Sequence, residues 1–174
     1  MTLAASAMNE AGTTRQEWFA LNDFVLHKGG FARVVRLSLA INGESIGVYA
    51  ADGVIISTPT GSTAYSLSAG GPVVVPTVES ILLTPISAHM LAVRPLVIPP
   101  DAEITVETVQ NPEELIVTVD GQVGTSLASG QKLIVRRAPN PVLIVRFPGT
   151  SFFERMRVKL GWGGLPERDQ PRQC

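Results

Sequence analysis

A chain of 174 residues that is 45% hydrophobic and 17% charged has the material for one compact core and is globular rather than disordered. Its formal net charge of −1 lacks the basic excess expected of a nucleic-acid binder, and its single cysteine, Cys174, excludes both an internal disulfide framework and a cysteine-based metal site. No apolar run approaches bilayer length and the first residues lack the basic-then-apolar order of a signal peptide, so the expected partners include no membrane and the expected location is cytoplasmic.

In chain order, Met1 to Ala7 alternates weakly and reads as a strand rather than a leader. Val35, Leu37, Leu39 and Ile41 face one way, with Arg36, Ser38 and Ala40 the other, and Asn42-Gly43 then predicts a hairpin into Ile46 and Val48. Val54 to Ile56 is a short continuous apolar run, the mark of a buried strand. The segment that follows it, Thr58 to Pro72, reads TPTGSTAYSLSAGGP and holds the densest polar chemistry in the chain. Pro59 and Gly61 break the strand, Ala64, Leu67 and Ser68 fit one face of a helix of about two turns, and Gly70, Gly71 and Pro72 stop it. The start of such a helix should leave its backbone donors available. Thr60, Ser62 and Thr63 add hydroxyls suited to sugar hydroxyls, amides and base edges. The competing reading is that these hydroxyls only cap the helix and close the turn.

Further strands are predicted at Ile104 to Val109, Leu115 to Val119, Leu133 to Arg136 and Val142 to Phe147, and short strands at this spacing suggest a sandwich. Gly124 to Lys132, GTSLASGQK, has the wrong spacing for a phosphate-binding loop and reads as a hairpin. His27 and His89 stand outside metal-ligand spacing and read as packing or hydrogen-bonding residues. Ser151 with Glu154 fits a capping box for a final helix whose Phe153, Met156 and Leu160 share one face.

The string TPTGSTAY behind Asp52-Gly53 resembles the hallmark of the NAD kinase family. Ala20-Leu21-Asn22-Asp23 with Phe24-Val25-Leu26-His27, the stretch His89 to Ile98 reading HMLAVRPLVI, the turn Asp120-Gly121-Gln122 and FFERMRVKLGW from Phe152 to Trp162 extend the resemblance from about Ala20 to Gly163. It implies a mainly β fold, a β-sandwich of the family's carboxyl-terminal domain type over residues 1–165, with a short helix after the TPTGSTAY turn, a carboxyl-terminal helix and a polar tail at 166–174. The family's amino-terminal α/β domain, whose Gly-Gly-Asp-Gly loop carries the catalytic aspartate, has no counterpart in these 174 residues. The chain is therefore expected to be a substrate-binding fragment that is inactive alone.

The resemblance implies transfer of a phosphoryl group from ATP, or from polyphosphate, to the adenosine ribose 2′-hydroxyl of NAD, giving NADP with the help of a divalent metal such as Mg2+. It carries over Asn22 to the adenine or its surroundings and Asp23 to the ribose hydroxyls. Thr60, Thr63 and Ala64 would line the adenine side, with Tyr65 against the dinucleotide and Ser66, Leu67 and Ser68 completing the wall. Asp52 would approach the nicotinamide amide, often across a subunit interface. Gln122 and Arg33 match further nucleotide contacts, whereas Ala50 stands where some members carry arginine. A homo-oligomer, dimer or tetramer, is expected in the complete protein. The alternatives are a non-catalytic NAD(P)-binding or oligomerisation module, and a relative of the lipid kinases, against which Asn22-Asp23 and the full TPTGSTAY string argue.

Overall fold

The computed structural model describes residues 1–9, 12–29, 34–90, 92–109, 115–127, 130–145, 149 and 151–162. In chain order its strands are β1 (Leu3–Met8), β2 (Thr14–Ala20), β3 (Asp23–Lys28), β4 (Val35–Ile41), β5 (Glu44–Ala51), β6 (Gly53–Ser57), β7 (Ile81–Ile86), β8 (Leu96–Ile98), β9 (Ile104–Thr108), β10 (Leu115–Val119), β11 (Gln122–Leu127) and β12 (Lys132–Arg137). A single 3-10 turn (Gly61–Thr63) and a one-turn helix α1 (Tyr65–Ser68) fall between β6 and β7, and a longer helix α2 (Phe152–Leu160) follows the strands. The chain divides into two compact units, 1–142 and 143–174.

The first unit is a sandwich of two antiparallel sheets. One has the order β2-β1-β12-β9-β4-β5 and the other β11-β10-β3-β6-β7-β8. Alternation explains both: Leu3, Leu37, Leu39, Ile104, Val106, Leu133 and Val135 of the first sheet share one apolar core with Phe24, Leu26, Val54, Ile56, Ile81 and Leu83 of the second. The Asn42-Gly43 hairpin forms as predicted, with φ of 51° and 79° at the two turn residues, values that suit asparagine and glycine.

Val54 to Ile56 lies within β6, fully buried, and Leu115–Val119 is β10. Three expectations need correction. GTSLASGQK is not a hairpin, because β11 pairs with β10 in the second sheet while β12 pairs with β1 and β9 in the first. That segment carries the chain from one sheet to the other. Residues 142–145 form no strand, since an apolar run becomes one only where a neighbour completes its hydrogen bonds, and Arg146 and Phe147 lie outside the described residues. The helix after TPTG is one turn, not two, because Ala64 at φ −96° and ψ −132° interrupts it.

In the second unit, Ser151 caps α2 by accepting a hydrogen bond from the Glu154 N–H at 3.1 Å, and Gly161 ends it in the left-handed conformation at φ 65°. Phe152 and Phe153 meet edge to face with centroids 5.4 Å apart. The polar tail expected at 166–174 lies outside the described residues.

Candidate functional site

β3 organises the site. Phe24 and Leu26 point into the core, so Asp23, Val25 and His27 emerge on the outer face of the second sheet, beside Thr118 of β10 and Ile55 of β6. The segment after β6 folds back over that face. Thr58 ties it down three ways: its N–H donates to the Asn22 carbonyl (2.8 Å), its hydroxyl donates to the Leu21 carbonyl (2.7 Å), and the same hydroxyl accepts from the Gly61 N–H (3.0 Å). Gly61 is required by this apposition, because a Cβ there would fall on the carbonyl group of Asn22.

The hydroxyls of the motif turn inward more than the sequence suggests. Ser62 donates to the Pro59 carbonyl (2.6 Å) and accepts from the Val74 N–H (3.0 Å), while Ser66 shares a 2.9 Å hydrogen bond with Thr84 of β7. Both serines are fully buried. The Gly61 N–H is taken by Thr58 and the Ser62 N–H by the Pro59 carbonyl, which corrects the expectation that every donor at the turn is available. For Ser62 and Ser66 the capping and packing role holds in this structure.

Asp120 fixes the opposite side. It sits in the β10–β11 turn at φ 49°, followed by Gly121 at φ 70°. Its carboxylate accepts from the N–H groups of Leu21 (2.8 Å), Asn22 (2.6 Å) and Asp23 (3.0 Å), and its own N–H donates to the Asp23 carbonyl (3.0 Å). Three charge-assisted bonds to consecutive amides hold the Asn22-Asp23 loop in one geometry.

Between these walls lies a cavity of about 580 Å³. Of the residues singled out from sequence, Asn22, Asp23, Asp52, Ala64 and Tyr65 line it. Thr60 is half-buried and is not among the lining residues, the exposed Thr63 donates its hydroxyl to the Thr60 carbonyl (3.3 Å), and Leu67 and Ser68 continue α1. Gln122 is exposed at the start of β11, and Arg33 lies outside the described residues. The cavity adds Lys28, Thr118 and Asp120, to which the sequence gave no role, and includes His27, read as a packing or hydrogen-bonding residue, whose Nδ1 donates to the Lys28 carbonyl (3.0 Å). The Asp-Gly turn was a visible signal for Asp120. Spacing gave none for Lys28.

Two carboxyl groups are electrostatically distinct. Asp23 is 4% exposed, and its pKa is pushed up to about 6, chiefly by burial and secondly by the negative charge of Asp120. Asp52 accepts from Lys28 Nζ at 2.8 Å, and that bond holds its carboxyl below the usual range, helped by the charges of Lys28 and His89 and by the Ser87 hydroxyl. The site thus offers hydrogen-bonding side chains at Asn22 and Asp23, an aromatic ring at Tyr65 that is 47% exposed, and the ammonium of Lys28. Among the described residues no three His, Cys, Asp or Glu side chains come together to hold a metal ion. No helix among them is long and apolar enough to cross a membrane.

Residues 21–147 match the family model described as the ATP-NAD kinase C-terminal domain. An NAD kinase of Gemmatimonas aurantiaca is 63% identical over 169 residues, covering 97% of this chain and 58% of that protein. A yeast NADH kinase solved with NADH superposes with a TM-score of 0.85 at 30% identity, covering 97% of this chain and 50% of its own. An Archaeoglobus fulgidus NAD kinase solved with ATP superposes with a TM-score of 0.71 at 26% identity, over 91% of this chain and 57% of its own. The chain spans about half the length of the curated relatives it matches. Since the family model covers the sandwich from the Asn22-Asp23 loop through the last strand, this chain belongs to the ATP-NAD kinase C-terminal domain family.

Proposed function

We propose that this chain is the dinucleotide-binding part of an NAD kinase, which transfers the terminal phosphoryl group of ATP, or of polyphosphate, to the adenosine ribose 2′-hydroxyl of NAD. The observation that carries the reading is the cavity in which Asn22, Asp23 and Tyr65 converge, because it joins acceptors for sugar hydroxyls to an aromatic surface for a base. The carboxyl groups of Asp23, Asp52 and Asp120 in its walls favour a hydroxyl-bearing ligand over a lipid chain. The 63% identity to the Gemmatimonas aurantiaca NAD kinase supports the same reading.

In the reaction a bond forms between the ribose 2′-oxygen and phosphorus, the bond from that phosphorus to the departing nucleoside diphosphate, or to the shortened polyphosphate, breaks, and the hydroxyl proton passes to a base. This domain's share is alignment. Asn22 holds the adenine side, Asp23 accepts from ribose hydroxyls, and Tyr65 packs on the dinucleotide, with Thr60, Thr63, Ala64, Leu67 and Ser68 as the surrounding wall. Ser66 supports that wall from inside through Thr84. Asp52, Gln122 and Arg33 stay assigned to nucleotide contacts by resemblance. A divalent ion, Mg2+ by preference, would arrive with the donor phosphates and neutralise their charge, since the described residues supply no set of ligands for it. The dinucleotide-binding domain is assigned to residues 1–165 with the tail beyond, and a cytoplasmic homo-oligomer is the proposed complete form.

No Gly-Gly-Asp-Gly string occurs in the 174 residues, so the chain alone should not turn over. The test is an assay for NADP formation by the purified chain and by the same chain joined to the preceding half of the Gemmatimonas relative. No product above a no-enzyme control from the first and ATP-dependent product from the second is the expected pair of results. Failure of the joined, folded protein to phosphorylate NAD would overturn the proposal.

A further inference from the structure

One buried hydroxyl of the sandwich makes no hydrogen bond. Ser57 ends β6, is fully buried, and among the described residues its Oγ has no partner. A hydroxyl taken out of water without an acceptor costs stability, so packing alone favours alanine at this position.

The surroundings of Ser57 narrow what it can bond. Val54 and Ile56 of β6 point into the core, so Ser57 stands on the outer face that carries Asp23. In register it lies between Leu82 of β7 and Asp23 of β3. Leu82 offers no acceptor on its side chain. The Thr58 N–H donates to the Asn22 carbonyl (2.8 Å), which makes the adjoining Asp23 and Ser57 a non-hydrogen-bonded pair, the type whose facing side chains stand closest. Asp120 holds the backbone of Asp23 through both its N–H (3.0 Å) and its carbonyl (3.0 Å), so strand and loop fix the two residues side by side. The serine rotamer and the turn of the carboxyl remain adjustable.

Asp23 is 4% exposed, and a buried carboxylate that accepts from a ligand with one oxygen needs a donor for the other. Of the titratable groups around it, Asp120 faces it from the β10–β11 turn as a second anion, and Tyr65 lines the cavity from α1. His27, Lys28 and Asp52 stand toward the far end of β3. Ser57 is the donor beside it in the ladder.

We propose that Ser57 is the positioning residue of Asp23: when a ribose hydroxyl donates to one carboxylate oxygen, the Ser57 hydroxyl donates to the other and holds the group in its accepting geometry. The proposal rests on the cavity being a dinucleotide site with Asp23 accepting from a ribose, and adds what orients that acceptor. It also carries a sign in pH. In the free protein burial, and then the charge of Asp120, push the Asp23 carboxyl up to about 6. A bond from Ser57 in the bound state favours the ionised form, so the serine's share of the affinity grows as pH rises through that value.

The experiment is a calorimetric titration of NAD into the full chain at pH 7.5 and pH 5, for wild type, Ser57→Ala, Asp23→Asn and the double variant, with a thermal melt of each. Ser57→Ala should melt no lower than wild type, since it deletes a hydroxyl without an acceptor, yet weaken NAD about fivefold at pH 7.5 and less than about twofold at pH 5. In the Asp23→Asn background the same deletion should cost at most about twofold at pH 7.5, because a bond to a neutral amide lacks charge assistance. Equal losses at the two pH values, equal losses in the two backgrounds, or unchanged NAD binding by Ser57→Ala would overturn the positioning role while leaving the dinucleotide site intact. A wild-type chain that melts cooperatively and binds no NAD would overturn the site and the role together.

Discussion

Two hairpin turns of the same local chemistry do different things in this molecule. Asn42-Gly43 closes β4–β5 and Asp120-Gly121 closes β10–β11, each with a left-handed first residue, at φ 51° and 49°, followed by a left-handed glycine. In both, the first side chain reaches across to a neighbouring segment. Asn42 exchanges bonds with Glu103 ahead of β9, its N–H donating to the Glu103 carbonyl (2.8 Å) and its Oδ1 accepting from the Glu103 N–H (2.8 Å). Asp120 gathers three consecutive N–H groups of the loop that presents Asn22 and Asp23. Local sequence dictates the turn in each case, and the segment it meets decides whether the turn is scaffold or site.

The comparison is broken most directly by Asp120→Ala. Removing the carboxylate leaves three amides of the Leu21–Asp23 loop without their acceptor, and a stability loss of about 3 kcal/mol is expected, with at least a tenfold loss of NAD affinity. Chemical denaturation and calorimetry on the same preparation read both. Gly61→Ala strikes the same loop from the other wall, where the new methyl meets the Asn22 carbonyl, and should cost about 2–3 kcal/mol together with affinity. Asn42→Ala removes one bond far from the cavity. It should cost about 1 kcal/mol and leave affinity unchanged, and a change in affinity would erase the distinction between the two turns.

Asp23 sharpens the comparison through pH. Its folded pKa of about 6 lies above the unfolded carboxylate value, so between about pH 4 and 6 the folded state holds the extra proton. This group's contribution to stability therefore falls as pH rises through that window. Asp23→Asn should be more stable than wild type by about 1–3 kcal/mol at pH 7.5, with the difference vanishing near pH 4 in urea titrations. Asp52 has the opposite sign, because its pKa is lowered: its contribution is present above about pH 4 and is lost in more acidic solution. Being partly exposed, Asp52→Asn should shift stability by less than about 1 kcal/mol, measured by thermal melts at pH 7 and pH 3.

Much of the sandwich was legible because its signals are local. The alternation in Val35–Ile41, the Asn42-Gly43 turn and the apolar Val54 to Ile56 each specify an element without reference to the rest of the chain. What escaped depends on distant partners. Ser62 and Ser66 looked like ligand hydroxyls, but Val74, twelve residues on, and Thr84, eighteen residues on, take their bonds. Lys28 meets Asp52, twenty-four positions away, at 2.8 Å, and no spacing rule marks that meeting. β12 follows β11 at hairpin distance yet belongs to the other sheet, since the core needed a strand between β1 and β9.

The central claim is that the loop held by Asp120 and Gly61 presents a dinucleotide site within this chain. The most direct measurement is calorimetric titration of NAD and NADP into the wild-type chain and into an Asp23→Ala, Tyr65→Ala double variant that melts cooperatively. Saturable binding by the wild type and its loss in the double variant is the predicted result. Binding undiminished in the double variant, or none by the folded wild-type chain, would contradict the account.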